Sequence, residues 1–437
     1  MLDYDFRLAW HSMRRNPVLT VLMIAAIGVG VGTFMTALNV YYVSSKNPIA
    51  HKNDQLYHVQ LDSFRMGSDW QEGREPPDQI SYIDAMNLLR DDRGLRQSAS
   101  FKTGFGIATQ DYEGLPIRAV GRATTPDFFE MFDVPFLAGG TWQQSEPDVA
   151  PQLVILSRAM SERLFGTSES VGESVLLDED DYTVVGVIED WSPSPKFYDL
   201  TNGSWLEGED VFVPFALTSQ KEYETWGNTR CSGDGDVDSF EGFLQSSCAW
   251  ITYWVEIGGT GDRSNFESYL TGYSEAQRAA GRYEAPVNYR FRNVQEWLVA
   301  ERVASDSSKV LLWLSALFLM VCLLNSVGLV LAKFTARAPQ LALRRAVGAT
   351  RGALVRQSLV EIILIGVVGG LLGMVLAMLG LQGMLALTEA SNSTRYEMDW
   401  VMMATAIVVS VIATTIAALY PALRISALAP ARYLKTQ

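Results

Sequence analysis

Apolar and polar positions divide this chain into two kinds of segment. Four runs are apolar around the whole helical circumference: "VLTVLMIAAIGVGVGTFMTALNVYYV" at Val18–Val43, "VLLWLSALFLMVCLLNSVGLVLA" at Val310–Ala332, a third over roughly Leu359–Thr388, and "WVMMATAIVVSVIATTIAALY" at Trp400–Tyr420. Each reaches the ~20 residues that carry a helix across a bilayer. The long stretch between the first and second runs is patterned instead. "QLYHVQL" at Gln55–Leu61 alternates as a strand does, and "DQISYIDAMNLLRDD" at Asp78–Asp92 places Ile80, Ile83, Met86 and Leu89 at helical spacing. Ser98–Thr109 is strand-like. Much further on, "AWITYWVEI" (Ala249–Ile257) and "VNYRFRNV" (Val287–Val294) read as strands on either side of a helix over Asp262–Ala280.

Strand-helix-strand units therefore open and close the central block. Side by side they predict a split ferredoxin-like lobe over residues 54–110 and 249–294. Residues 115–245, rich in short strands, turns and aromatics, are expected to form an inserted second lobe. Asn293–Asp306 is expected to continue the second span as a helical stalk, while Pro48 limits a matching stalk after the first. The expected fold is an α-helical membrane protein with four transmembrane helices and a large α+β extracytoplasmic domain inserted between the first and second. The expected spans are 17–43, 309–333, 358–388 and 400–420, with the extracytoplasmic domain at 44–308. A linking elbow is expected at 334–357, a short periplasmic loop at 389–399 and a cytoplasmic tail at 421–437. The first run is too long for a signal-peptide core and no small-x-small cleavage site closes it, so it is expected to stay as an anchor.

Charge orients this plan. Arg7, Arg14 and Arg15 precede the first span; Lys333, Arg337, Arg344, Arg345, Arg351 and Arg356 lie between the second and third; Arg424, Arg432 and Lys435 follow the fourth. The loop between the third and fourth holds Glu389, Glu397 and Asp399 against Arg395 alone. The positive-inside bias puts both termini and the arginine-rich loop in the cytoplasm. Residues 44–308 carry 43 acidic and 21 basic side chains, within a chain of net charge −14. Such an acidic external block is kept soluble and held away from anionic headgroups and nucleic acid. Of three cysteines, Cys322 lies inside the second span, where it serves as a small packing residue. Cys231 and Cys248 are external, and an oxidising compartment predicts one disulfide between them.

Candidate chemistry narrows the function by what is missing. No G-x-x-x-x-G-K-[ST] occurs, so ATP binding in the P-loop manner is excluded. Gly28, Gly30 and Gly32 sit inside a span, where small residues permit close helix packing. His51, Asp54 and His58 lack a further carboxylate at ligand spacing. Asp234, Asp236 and Asp238 begin like a calcium loop, but Ser239 and Gln245 stand where Gly and Glu are needed. No G-x-S-x-G is present, and no catalytic or metal residue is assigned. Within the spans Asn39, Asn325 and Glu361 are polar. Glu361 lies about one turn into the third, where helix-helix hydrogen bonding or interface anchoring suits it better than a proton relay.

The densest arginine cluster is "PQLALRRAVGATRGALVRQSLVE" (Pro339–Glu361). Pro339 suits a first helical turn. Leu343, Ala346 and Val347 share a face. Gly348 is placed to end the first helix, and Thr350 to cap a second that starts at Arg351 and runs into the third span. The segment resembles the elbow of MacB/FtsX-type permeases, the membrane subunits of one class of ATP-binding-cassette transporters. "RATTPDFFEMFDVPFLAGGTW" (Arg122–Trp142), "VILSRAMSERLFG" (Val154–Gly166) and "VGESVLLDEDDYTVVGVIED" (Val171–Asp190) resemble the family's periplasmic core domain. "YPALRISALAPARYLK" (Tyr420–Lys435) resembles its tail, and residues 1–16 the cytoplasmic amphipathic helix of its stand-alone permeases. Gln340 departs from the family's usual acidic residue.

The resemblance implies a coupling elbow at Leu343, Arg344, Arg345, Gly348, Ala349, Thr350 and Arg351. It also implies a permease without a fused ATPase, dimeric with itself or a second permease chain, in a bacterial inner membrane. ATP and Mg would be bound by a separate cytoplasmic ATPase dimer, and no cofactor by this chain. A periplasmic adaptor and an outer-membrane channel are further candidate partners, beside membrane lipid. Export driven by movements of the periplasmic domain is the expected activity. The alternative is an FtsX-like regulator that signals ATPase state to a periplasmic partner; the size of the external block favours export.

Overall fold

The computed structural model describes residues 8–426 apart from 9–11, 15, 65, 67–70, 72, 111–113, 146–149, 207, 233–236, 337–338, 340–342, 344–346 and 388–399. It divides into two compact units, one of Lys46–Val303 and the other of Met1–Ser45 with Ala304–Gln437.

In chain order the α-helices of five residues or more are α1 (Pro17–Ser45), α2 (Tyr82–Asp91), α3 (Asp127–Met131), α4 (Arg158–Phe165), α5 (Phe240–Gln245), α6 (Thr260–Ala279), α7 (Val294–Ala300), α8 (Asp306–Ala336), α9 (Arg351–Leu387) and α10 (Trp400–Ser426). The strands are β1 (Leu56–Leu61), β2 (Ile80–Ser81), β3 (Arg96–Ala108), β4 (Ile117–Thr124), β5 (Phe136–Gly139), β6 (Leu153–Ser157), β7 (Ser174–Leu177), β8 (Asp180–Ile188), β9 (Val211–Pro214), β10 (Ala249–Glu256) and β11 (Tyr289–Asn293).

Among the described residues, all eleven strands belong to one sheet, in the order β11-β1-β10-β3-β4-β9-β6-β8-β5, with β2 on β10 and β7 on β3 and β8. The first four interleave two strand-helix-strand units, β1-α2-β3 and β10-α6-β11. The sheet does not stop where the inserted segment begins. β3 is 13 residues long; Arg96–Ser100 pair with β10 while Ser100–Ile107 pair with β4 on its other edge. One strand thus carries hydrogen bonding from one half of the block into the other.

Two apolar cores pack on this sheet. One gathers Tyr57, Phe101, Trp250, Tyr253, Phe266 and Phe291 with the aliphatic residues around them. The other is aromatic, built on Phe128, Phe132, Phe197, Trp254 and Trp297. Helix starts follow local chemistry. Ser81 and Ser157 accept the backbone N–H three residues on, and Asn293 with Glu296 forms a capping box that opens α7. That box turns Val294 from the end of a strand into the start of a helix. The expected continuous stalk into the second span is corrected here: α7 ends at Ala300, Arg302 takes φ +50°, and α8 begins only at Asp306. A left-handed non-glycine residue cannot continue an α-helix.

In the other unit, α1, α8 and α9 are each long and apolar enough to cross a membrane. α10 offers a shorter apolar stretch, Val401–Ala417, and contains Pro421. Glycines set the spacing. A Cβ on Gly32 would lie 2.9 Å from Leu376 Cβ and 3.0 Å from the Gly373 carbonyl oxygen, so α1 and α9 meet backbone to backbone. Gly30 packs on Leu319 and Cys322 of α8. Ser410 of α10 donates to the Gly366 carbonyl of α9 at 2.7 Å.

Candidate functional site

The segment joining α8 to α9 holds the residues for which the sequence predicts a coupling role. Near its middle the Val347 N–H donates to the Leu343 carbonyl at 3.0 Å, closing a helical turn. Gly348 then takes φ +108°, in the region that glycine alone enters freely. Thr350 caps α9 by accepting the Ala353 N–H on Oγ1 at 3.3 Å. A helical hydrogen bond between Leu343 and Val347, a left-handed break at Gly348 and a helix cap at Thr350 therefore follow one another. Leu343 is 58% exposed and Val347 82%, a pair of apolar side chains that their own unit leaves uncovered. Ala349 is half-buried and Thr350 exposed. Arg344, Arg345 and the side chain of Arg351 lie outside the described residues.

Beneath the elbow is a feature the charge pattern does not announce. Lys333, near the end of α8, and Glu361, in α9, form an ion pair with 2.6 Å between Nζ and Oε1, their side chains only 2% and 4% exposed. Lys333 also donates to Thr20 Oγ1 of α1 at 3.0 Å, and Thr20 in turn donates to the Met13 carbonyl at 3.3 Å. Glu361 thus makes the helix-helix contact expected of it. Lys333, counted from the sequence only as a topological charge, is its partner. The available signal was that the second apolar run ends on one base and the third holds one acid.

Other polar groups resolve into architecture. Cys231 and Cys248 are joined by the expected disulfide. His51 pairs with Asp133 at 2.7 Å. His58 is buried, stacked 4.1 Å from Trp297 and tilted against Trp254; burial and the nearby Arg292 hold its pKa at about 3, so it is neutral. Asp234 and Asp236 lie outside the described residues.

Among the described residues, the soluble unit includes two open clefts. One of about 410 Å³ is lined by Gly104, Arg118, Asp178, Tyr223 and Trp226, with the Arg118 guanidinium 4.5 Å from the Trp226 ring centre. The other, of about 550 Å³, lies between Met86, Asp92, Gln97, Asp127 and Phe215. Among the described residues neither wall presents a buried polar side chain lacking a hydrogen-bond partner.

Comparison with known proteins finds two family matches, the first beginning within α1 and ending inside the Lys46–Val303 unit. Residues 20–241 match the model of the MacB-like periplasmic core domain, and residues 312–430 that of the FtsX-like permease C-terminal region. A pyoverdine export ATP-binding/permease protein, PvdT of Pseudomonas savastanoi, is 22% identical over 392 residues, 88% of this chain and 52% of that protein. The macrolide export ATP-binding/permease protein MacB of Chromobacterium violaceum is 21% identical over 374 residues, 85% of this chain and 52% of its own. The chain spans about half the length of these relatives. The periplasmic region of MacB from Actinobacillus actinomycetemcomitans aligns over 56% of this chain and 92% of its own at 12% identity, with a TM-score of 0.35.

Proposed function

Because the chain belongs to the family of MacB-like, FtsX-like ATP-binding-cassette permeases, we propose that it is a membrane subunit that turns ATP hydrolysis into movement of its periplasmic domain and so drives export of a substrate. The observation that carries this reading is the elbow. Two membrane helices are joined by a short helical turn, a left-handed glycine and a capped helix start, with Leu343 and Val347 exposed. Apolar side chains at such a position suit the groove of a partner protein, and the flanking arginines add charged contacts.

In this proposal ATP and Mg are bound by a cytoplasmic ATPase dimer. The permease acts as a dimer with an identical or second permease chain in the bacterial inner membrane. α10 completes a fourth span, both termini are cytoplasmic and Lys46–Val303 is periplasmic. A periplasmic adaptor and an outer-membrane channel extend the pathway. The named relatives export pyoverdine and macrolides; the same class of activity is proposed here with the substrate left open.

The test is to purify the tagged chain from its native host in mild detergent, reconstitute it in lipid nanodiscs and measure MgATP hydrolysis. Hydrolysis that resides in a co-purified ATPase and falls when the elbow is altered is expected. A chain that carries no ATPase, or one whose hydrolysis is indifferent to the elbow, would overturn the reading.

A further inference from the structure

The chain leaves the apolar bundle at the end of α8, turns through the elbow and returns in α9; a base before that excursion and an acid after it meet. Lys333 and Glu361 close the excursion at its base, 2.6 Å apart and almost fully buried. The lysine's second hydrogen bond ties in a third helix through Thr20 of α1. We propose that this Lys333–Glu361–Thr20 knot is the positioning element that carries displacement of the elbow into α1, and that its charges are retained for that task. The inference rests on the reading of the chain as an ATPase-driven permease.

Three physical points support it. First, burying two charges in an apolar bundle costs more than packing two apolar side chains of similar volume, so stability alone does not explain the pair. Second, parting α8 from α9 would take each buried charge away from its counter-charge, which favours the joined state. A force on the elbow therefore moves both helices together. Third, the link to α1 is directional. Thr20 accepts from Lys333 and itself donates to the Met13 carbonyl, so the tie reaches the backbone ahead of α1. The close approach of α1 to α9 at Gly32 and Gly373 then leaves little slack along the rest of the helices.

The test uses the full chain with its co-purified ATPase in nanodiscs and compares wild type with Lys333→Met, Glu361→Gln, the double variant Lys333→Met/Glu361→Met and the exchange Lys333→Glu/Glu361→Lys. Three quantities are read: thermal stability of the permease, the amount of ATPase retained, and stimulation of hydrolysis. Single variants remove the counter-charge of one buried group and are expected to lose stability. The double variant removes both charges, so it is expected to keep stability and bound ATPase but to lose about ten-fold in stimulation, within the ordinary range of coupling between sites. The exchange is expected to recover stimulation to within about three-fold of wild type. Wild-type stimulation in the double variant overturns the inference alone, because the permease reading then still stands. An exchange variant that stays at the double variant's level also overturns it. A wild-type chain that holds no ATPase overturns the permease reading and this inference with it.

Discussion

Single residues in the soluble unit set its response to pH. Arg122 is fully buried on β4 and contacts both Asp199 and Glu209; Lys196 and Tyr198 also reach Glu209, each at 2.7 Å. Burial alone would raise the Glu209 pKa, but Arg122 and Lys196 outweigh it and hold the carboxyl at about 2, below the ordinary 4.5. Its folded pKa is depressed, so its contribution is complete above pH 4.5 and lost as pH falls towards 2. His58 acts in the same direction over a higher window. It is held neutral with both ring nitrogens unpartnered, so folding is opposed progressively as pH falls from 6.5 towards 3. Urea unfolding of residues 46–303 at stepped pH should show His58→Phe flattening the upper part of this profile with little cost at pH 7. Arg122→Met should cost about 3–5 kcal/mol at pH 7, because it strands buried carboxylates. The bond between Cys231 and Cys248, 17 residues apart, should contribute about 3 kcal/mol by restricting the unfolded chain. Non-reducing mass spectrometry finding both thiols free would contradict the bond itself.

At the scale of elements, the elbow is the informative piece. Its order was legible because each step depends on a local residue: a glycine for the left-handed break and a threonine for the cap. Among the described residues nothing lies within 4 Å of a Cβ placed on Gly348, and the constraint there is the backbone φ of +108°. A valine must either carry strain of about 1–3 kcal/mol or redirect the helices. Gly348→Val should therefore insert normally, keep a folded soluble unit and lose stimulation of the ATPase, with Gly348→Ala intermediate. Arg344→Ala/Arg345→Ala should weaken ATPase retention while Arg337, Arg351 and Arg356 preserve topology. If hydrolysis and retention in both remain at wild-type level, the elbow is no docking element. The soluble elements divide differently. β1, α2, β10 and α6 were visible from periodicity. β5, β7 and β9 are four residues each, too short for a period to emerge.

The whole molecule separates at Ser45/Lys46 and Val303/Ala304. Lys46–Val303 has its own two cores and an unbroken sheet, so this fragment should fold alone, unfold cooperatively and retain the disulfide. Circular dichroism and a single denaturation transition check this. The full chain without a partner should show no saturable MgATP binding by calorimetry, since no phosphate cradle of the P-loop kind is encoded. Binding by this polypeptide alone would remove the reason for a separate ATPase.

The sequence by itself determined where the apolar runs lie, how charge divides between them, which cysteines could pair and how the elbow turns. These depend on side-chain spacing over a few residues, on bulk hydropathy or on simple counting. Tertiary structure decided what lies far apart in the chain. Arg122 meets Glu209 across 87 residues, and Lys333 reaches Thr20 across 313. The 13 residues of β3 could be read as a strand, but not as one with different partners along its two edges. Local pattern fixes which face of an element is apolar; the register and neighbour of that face are fixed only when the whole core packs.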